Sequence, residues 1–152
     1  MVINQEIFEQ LKLCVINAKP NEACGLIFGD IEQGKVAESF QYLYYTKKFD
    51  CIEPDKKSPV KFLIKNIEKL NKLFYNAYQN HNLRLISIFH SHPSGAHPSR
   101  FDVENMKLLD EFDNRAFRNQ IWTIMDGNNY KLNGFIYLEK ELQQINVKIL
   151  LN

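Results

Sequence analysis

Apolar residues recur along this chain with two different periods, which predict helices and strands in alternation. A spacing of three to four positions over residues 5–18, 60–79 and 103–117 is typical of amphipathic helices that bury one face. Shorter apolar runs, rich in branched and aromatic side chains, predict strands between them. These strands cover residues 24–28, 35–45, 83–89, 120–125, 130–138 and 145–151. The pattern predicts an α/β fold in which strands and helices mix.

Breaks in this pattern mark the expected turns and loops. Pro20 is expected to close the first helix, and the Gly29-Asp30 pair is expected to end the first strand. Residues 47–59 are polar and contain two prolines, which predicts a loop. The Asp126-Gly127 pair predicts a hairpin turn between the strands on either side of it.

Length and composition limit the class of protein. The chain has 152 residues, and we expect residues 1–152 to form a single domain. Hydrophobic residues make up 45% of the sequence and charged residues 24%, which excludes a disordered or fibrous chain. The 19 basic and 18 acidic side chains nearly cancel, so a nucleic-acid partner is not expected. The sequence does not determine the oligomeric state.

The cysteine pattern and the lack of a recognisable targeting signal both predict a cytoplasmic protein. The three cysteines, Cys14, Cys24 and Cys51, include no CxxC pair and are odd in number, so we expect all three to be reduced. Residues 1–14 contain early acidic positions and no uninterrupted apolar core, unlike a signal peptide. No apolar run approaches the roughly 18 residues of a membrane-spanning helix, so no membrane association is expected.

The segment from His90 to Asp102, HSHPSGAHPSRFD, carries the candidate chemistry. His90 and His92 are two positions apart, so they lie on the same face of an extended chain and can reach one metal ion. Asp102 follows at the start of a predicted helix, where a proline-stiffened loop could bring its carboxylate beside them. Two imidazoles and one carboxylate leave a fourth tetrahedral position open to water, which is the ligand count of a catalytic zinc ion.

Each part of this segment also has a purely structural interpretation. Ser99 and Asp102, as S-x-x-D before an apolar helix, form a capping box with Ser99 as the N-cap. An isolated H-x-H pair is more often a chance surface feature than a metal site. The apolar strand before the pair, the prolines and the following S-x-x-D favour the metal site. The two interpretations are compatible, because a capping Ser99 would hold the turn that aims Asp102.

Two motifs, in the expected order, resemble the JAMM (MPN-plus, JAB-domain) family of zinc metalloproteases. H-x-H-P followed by S-x-x-D is similar to the family's signature and corresponds to His90 through Asp102. The family also carries a glutamate on an early strand, often within E-x-C-G-L, and this chain has EACGL from Glu22 to Leu26. The resemblance covers nearly the whole chain. It implies the MPN (cytidine-deaminase-like) fold, a mixed curved sheet flanked by helices.

The resemblance implies a role for each matching residue. His90, His92 and Asp102 would bind one Zn2+ per chain together with a water. Glu22 would be the general base that takes a proton from that water and passes it to the leaving amine. Ser99 would support the oxyanion of the tetrahedral intermediate. Taken alone, Glu22 would be interpreted as an exposed charge at the start of a strand.

The loop between the second histidine and the aspartate departs from the family's pattern. It has nine residues, Pro93 to Phe101, one fewer than the family's usual spacing. The S-x-x-D motif keeps its own register, so the shortening affects the path of the loop more than the ligands. His97 lies in the shortened part, where it could approach the metal or the substrate or, as is commoner for a loop histidine, face solvent.

The reaction implied by the resemblance is hydrolysis of a peptide or isopeptide bond at the C-terminal tail of a ubiquitin-like or sulfur-carrier protein. The chain lacks long insertions and is similar to small prokaryotic members. Two alternatives stay open: a noncatalytic MPN-type scaffold that only binds partners, and a relative of the family's DNA-repair-associated branch. The filled ligand positions and the near-neutral charge favour the metalloprotease.

Overall fold

A computed structural model of the protein describes residues 1–52, 67–111 and 120–151. Within these ranges the chain forms eight strands and three helices. In chain order they are β1 (Val2–Asn4), α1 (Gln5–Ala18), β2 (Cys24–Val36), β3 (Ser39–Ile52), α2 (Ile67–His81), β4 (Arg84–His92), α3 (Arg100–Glu111), β5 (Ile121–Asp126), β6 (Leu132–Leu138), β7 (Glu141–Ile145) and β8 (Lys148–Leu150).

The eight strands form one mixed, curved sheet in the order β7-β6-β5-β4-β2-β3-β1-β8. Neighbouring strands are antiparallel except in the pairs β4–β5, β1–β3 and β1–β8, which are parallel. Because β4 and β5 run side by side in the same direction, their C-terminal ends meet at one end of the sheet. His92 and Asp126 are paired at this end. The predicted α/β class with a mixed curved sheet is confirmed.

Helices cover both faces of the sheet, because buried strands present apolar side chains to both sides. On one face, Leu11 and Val15 of α1 belong to the same apolar cluster as Ile27. On the opposite face, Met106 of α3 and residues of α2 belong to a cluster with Leu26. Leu26 and Ile27 are neighbours on β2 and both fully buried, so β2 contributes to the two cores alternately.

Local signals fix both ends of the first helix. The side-chain oxygen of Asn4 accepts a hydrogen bond from the N–H of Ile7 at 2.8 Å, so Asn4 is the N-cap of α1. The helix ends at Ala18, two residues before Pro20, which cannot continue a helix. The predicted bounds of this helix are confirmed. None of the helices in the described ranges is both long and apolar enough to cross a membrane.

The turn predicted at Gly29-Asp30 is wrong. β2 runs through this pair, and the chain reverses at residues 37–38 instead. A β-bulge falls at Gly29, and a Cβ added there would lie 1.9 Å from the backbone oxygen of Tyr45. A glycine in a strand can mark a close approach between two backbones as well as a turn, and the sequence alone does not separate the two.

Other predicted bounds are corrected or fall outside the described residues. Pairing with β2 carries β3 to Ile52, so residues 47–52 are strand rather than loop. The predicted strand over 145–151 is interrupted, because β7 ends at Ile145 and β8 begins at Lys148. The predicted loop positions 53–59 and helix positions 60–66 and 112–117 lie outside the described residues.

The expectation of three reduced cysteines is also wrong. Cys14 on α1 and Cys51 on β3 form a disulfide, with their Cα atoms 5.9 Å apart. The two residues are 37 positions apart in the sequence, and only the packing of α1 against β3 brings them together. Cys24 is buried on β2 and is not part of the disulfide.

The close approach at Gly29 makes a testable prediction about stability. Gly29→Ala should lower the free energy of unfolding by about 1–3 kcal/mol, because the backbones of β2 and β3 must separate to admit a methyl group. Gly34→Ala is the matched control on the same strand, since its Cβ would meet nothing closer than the Gln41 oxygen at 3.8 Å. Urea unfolding of both variants measures the difference. Equal stabilities would contradict the close approach.

Candidate metal centre

The two histidines of the H-x-H pair lie at the C-terminal end of β4. β4 extends to His92, so both imidazoles belong to the strand and not to the loop that follows. Strand alternation places them on one face, while Ser91 between them points to the other. His90 is 2% exposed, and its ring lies 5.9 Å from that of Trp122. The apolar surroundings hold His90 in one position.

A capping box brings the carboxylate to the histidines. Ser99 Oγ accepts a hydrogen bond from the backbone N–H of Asp102 at 3.1 Å, which makes Ser99 the N-cap of α3. In return, the Oδ2 of Asp102 accepts from the backbone N–H of Ser99 and from its hydroxyl, each at 2.7 Å. The structural interpretation of S-x-x-D is therefore correct. It also fixes the direction in which the Asp102 side chain points.

The three predicted ligands converge. Nε2 of His90 lies 3.3 Å from Oδ1 of Asp102, and Nε2 of His92 lies 3.1 Å from Oδ2. The two Nε2 atoms are 3.1 Å apart. Tetrahedral zinc with bonds of about 2.0–2.1 Å separates its ligand atoms by about 3.3 Å, so the spacing and the donor types both fit such an ion. The shorter loop does not prevent Asp102 from reaching the histidines.

Electrostatics within the cluster favour an ionised Asp102. Burial by itself would raise the pKa of Asp102, but hydrogen bonds from His90 and His92 outweigh it and hold that pKa well below its usual range. The hydrogen bond to Asp102 raises the pKa of His92 against an opposing effect of burial, and the Asp102 and Glu22 charges add to the rise. A metal needs the neutral imidazole, so protons compete with it until the pH exceeds this raised pKa.

Glu22 lies beside the cluster but is not one of the converging ligands. β2 and β4 pair Cys24 with His90, and the backbone N–H of Ser91 donates to the oxygen of Ala23 at 3.0 Å. Glu22 precedes Ala23 and lies two positions before β2 begins, so the chain places it near the end of β4. Glu22 is half-buried there, and its charge contributes to the raised pKa of His92.

The other two histidines have separate surroundings. The His97 side chain is exposed, and its ring lies 5.9 Å from that of Phe135. The backbone of His97, rather than its imidazole, adds to the raised pKa of His92. His81 is exposed at the end of α2. Neither side chain belongs to the group that could hold a metal ion within the described ranges.

The sequence predicted Asp126 only as a turn residue and not as part of this region. The Asp126-Gly127 pair lies in the turn that joins antiparallel β5 and β6, as predicted. The side chain of Asp126 is nevertheless 8% exposed, and backbone hydrogen bonds from Asn128 and Gly95 hold its pKa below the usual value. The D-G signal explained the residue as a turn former, so its contact with the loop after His92 went unpredicted.

A groove of about 390 Å³ adjoins the end of β4. It lies between the C-terminal end of α1 and the β5–β6 turn. Its walls contain residues from three segments: Val15, Lys19, Pro20 and Asn21; Ser91, His92 and Pro93; and Gly127 and Asn128. His92 therefore belongs to both the ligand cluster and the wall of the groove.

Comparison with known families agrees with this geometry. The family model of prokaryotic homologs of the JAB domain matches residues 5–134. The chain belongs to this family. The matched range contains both the EACGL segment and the whole of the His90–Asp102 motif, so the resemblance on which the sequence prediction depended is confirmed. No curated protein shows significant sequence similarity to this JAB-domain protein.

Several solved structures share the fold. A protein of Desulfitobacterium hafniense aligns with a TM-score of 0.69 at 19% identity, covering 98% of this chain and 92% of that one. A JAB1/MPN domain protein from Archaeoglobus fulgidus aligns with a TM-score of 0.54 at 12% identity, covering 99% and 96%. A structure described as a JAMM metalloprotease-like zinc site in the proteasome and signalosome gives 0.51 at 11%, covering 99% and 97%. At these identities the likeness concerns the fold.

Zinc binding tests the cluster directly. We expect purified JAB-domain protein to bind about one zinc ion per chain, and His90→Ala and Asp102→Ala to lose it, because each removes one of three ligands. His97→Ala is the matched control, since its imidazole lies outside the cluster. Elemental analysis after dialysis gives the stoichiometry, and circular dichroism confirms that each variant is folded. Retention of zinc by folded Asp102→Ala would contradict the assignment.

Proposed function

We propose that this JAB-domain protein is a zinc-dependent hydrolase of a peptide or isopeptide bond. The observation that carries the proposal is the convergence of two imidazoles and one carboxylate at the end of β4, with a half-buried Glu22 beside them. Three protein ligands rather than four are typical of a catalytic zinc ion, whereas structural zinc sites are closed. A scaffold that only bound partners would have no need of this ligand set.

The residues divide the chemistry between them. Bound zinc would acidify a water and polarise the carbonyl of the scissile bond. Glu22, two residues before β2 and near His92, would take a proton from the attacking water as the water oxygen bonds to the carbonyl carbon. The same carboxyl would return that proton to the leaving nitrogen as the carbon–nitrogen bond breaks. This assignment accounts for a carboxylate beside the cluster that is not itself a ligand.

Ser99 is proposed to support the oxyanion, in addition to capping α3. In the arrangement described above its single hydroxyl proton is directed to Asp102, 2.7 Å away. Supporting an oxyanion therefore requires the hydroxyl to rotate. With Asp102 bound to a metal, the Ser99 hydroxyl would be free to direct its proton to the oxyanion instead. We expect Ser99 to contribute less to the rate than Glu22, because its first contact is with the ligand.

We propose that the substrate is the C-terminal tail of a ubiquitin-like or sulfur-carrier protein. An extended tail is narrow enough to reach a metal at the end of a strand. It cannot pair with β4 itself, since β2 and β5 occupy both sides of that strand. The groove that shares His92 with the cluster offers a path instead. This route predicts that only an unfolded terminal segment is cleaved, and not a folded domain.

Substitution of Glu22 separates catalysis from metal binding. Glu22→Gln should retain zinc but lower the cleavage rate by about 10²- to 10⁴-fold, because the amide cannot accept and return the proton. Glu104→Gln is the matched control, an exposed glutamate of α3 whose loss should leave the rate unchanged. The substrates are ubiquitin-like and sulfur-carrier proteins of the same organism with extended C-termini. Mass spectrometry identifies the cleaved bond.

The possible results have distinct meanings. Cleavage by Glu22→Gln at the wild-type rate would contradict its role as the base. Zinc-loaded wild-type protein that cleaves no member of the substrate panel, but binds one of them, would favour the noncatalytic scaffold. Cleavage that disappears when zinc is removed and returns when it is restored would support the proposed reaction.

A further inference from the structure

The turn between β5 and β6 holds the loop that joins the metal ligands. Asp126 ends β5 directly beside His92, with its side chain almost fully buried. Its carboxylate accepts a hydrogen bond from the N–H of Asn128, 2.8 Å away in the turn. The backbone of Gly95, within the loop, lies close to the same carboxylate and helps to lower its pKa.

Two further hydrogen bonds attach the same region to the last residue of β4 and to the loop that follows it. The backbone N–H of Gly127 donates to the oxygen of His92 at 2.8 Å. The side-chain amide of Asn133, on β6, donates to the oxygen of Ala96 at 3.0 Å. The first half of the loop is therefore attached to β5 and β6 as well as to its own two ends.

Attachment matters for this loop because it has to place two groups against His92. It carries the backbone of His97, which adds to the raised pKa of His92, and it ends in Ser99, which aims Asp102. Groups that orient a metal ligand without binding the metal themselves also influence metal affinity. Gly95 adopts a φ of +87°, a conformation that a side chain would disfavour. The loop therefore follows a backbone path at this position that favours glycine.

We propose that Asp126 is a positioning residue for the metal centre: its carboxylate fixes the β5–β6 turn, and this turn and β6 hold the end of β4 and the loop that leads to Asp102. Asp126 does not belong to the group of side chains that could hold the ion. Its carboxylate instead accepts a hydrogen bond from the backbone, as from Asn128. A carboxylate forms a stronger hydrogen bond of this kind than a neutral oxygen does. The proposal rests on the metal-binding part of the proposed function and is independent of the substrate.

Zinc affinity of Asp126→Asn tests the proposal. Asparagine preserves the shape of the side chain but replaces one acceptor oxygen with an NH2 group, which cannot accept a backbone N–H. We expect the dissociation constant for zinc, measured by competition with a chromophoric chelator, to rise about 10- to 100-fold. Asp30→Asn removes an exposed carboxylate from β2 and is the matched control, with an expected affinity equal to wild type.

A second readout does not need the metal. In metal-free Asp126→Asn, the imidazole ¹⁵N chemical shifts of His92 should differ from wild type, because its contacts with Asp102 and His97 change. A role limited to folding would lower the unfolding midpoint but leave the zinc affinity and the His92 shifts of the folded protein unchanged. That result would overturn the proposal.

If Asp126→Asn does not fold, Asn133→Ala replaces it, because this variant removes a contact to the same loop. Weaker zinc binding by Asn133→Ala would support the proposal, and wild-type affinity would overturn it. If wild-type protein itself binds no zinc, the proposed function fails. The His92 shifts then still show whether Asp126 positions the imidazole, with unchanged shifts overturning that role.

Discussion

The carboxylate of Asp102 lies between the two imidazoles at the end of β4, and the rest of the site depends on this contact. Asp102 is 5% exposed, and a buried carboxylate is stable only where donors or cations surround it. The two histidines and Ser99 provide those partners. The same contact attaches the first turn of α3 to the sheet. The contact that attaches α3 to the sheet is therefore also the one that brings the candidate ligands together.

Three adjacent strands each supply a different part of the centre. β4 contributes both imidazoles, β2 begins two residues after Glu22 and pairs with β4 at His90, and β5 ends in Asp126 beside His92. The order of strands in the sheet thus sets which side chains meet. A mixed sheet is required for this arrangement, because β4 has an antiparallel neighbour that begins at the site and a parallel neighbour that ends there.

The sequence predicted the converging cluster of His90, His92 and Asp102 because its signal is local. The two-residue spacing of the histidines follows from the pleat of a strand, and the capping box fixes Asp102 within one helical turn. The Cys14–Cys51 disulfide and the role of Gly29 depend on how α1 and β3 pack against other elements, which residue spacing does not encode. Asp126 was missed for a similar reason, since its turn signal concealed a contact with a distant loop.

The proposed hydrolase needs an open metal centre, and anomalous diffraction at the zinc edge from crystals of the zinc-loaded protein tests this directly. The prediction is one zinc ion per chain, bound by Nε2 of His90, Nε2 of His92 and a carboxylate oxygen of Asp102 at about 2.0–2.2 Å, with a fourth ligand from solvent. Zinc bound elsewhere, or a fourth protein side chain that closes the coordination, would contradict the account.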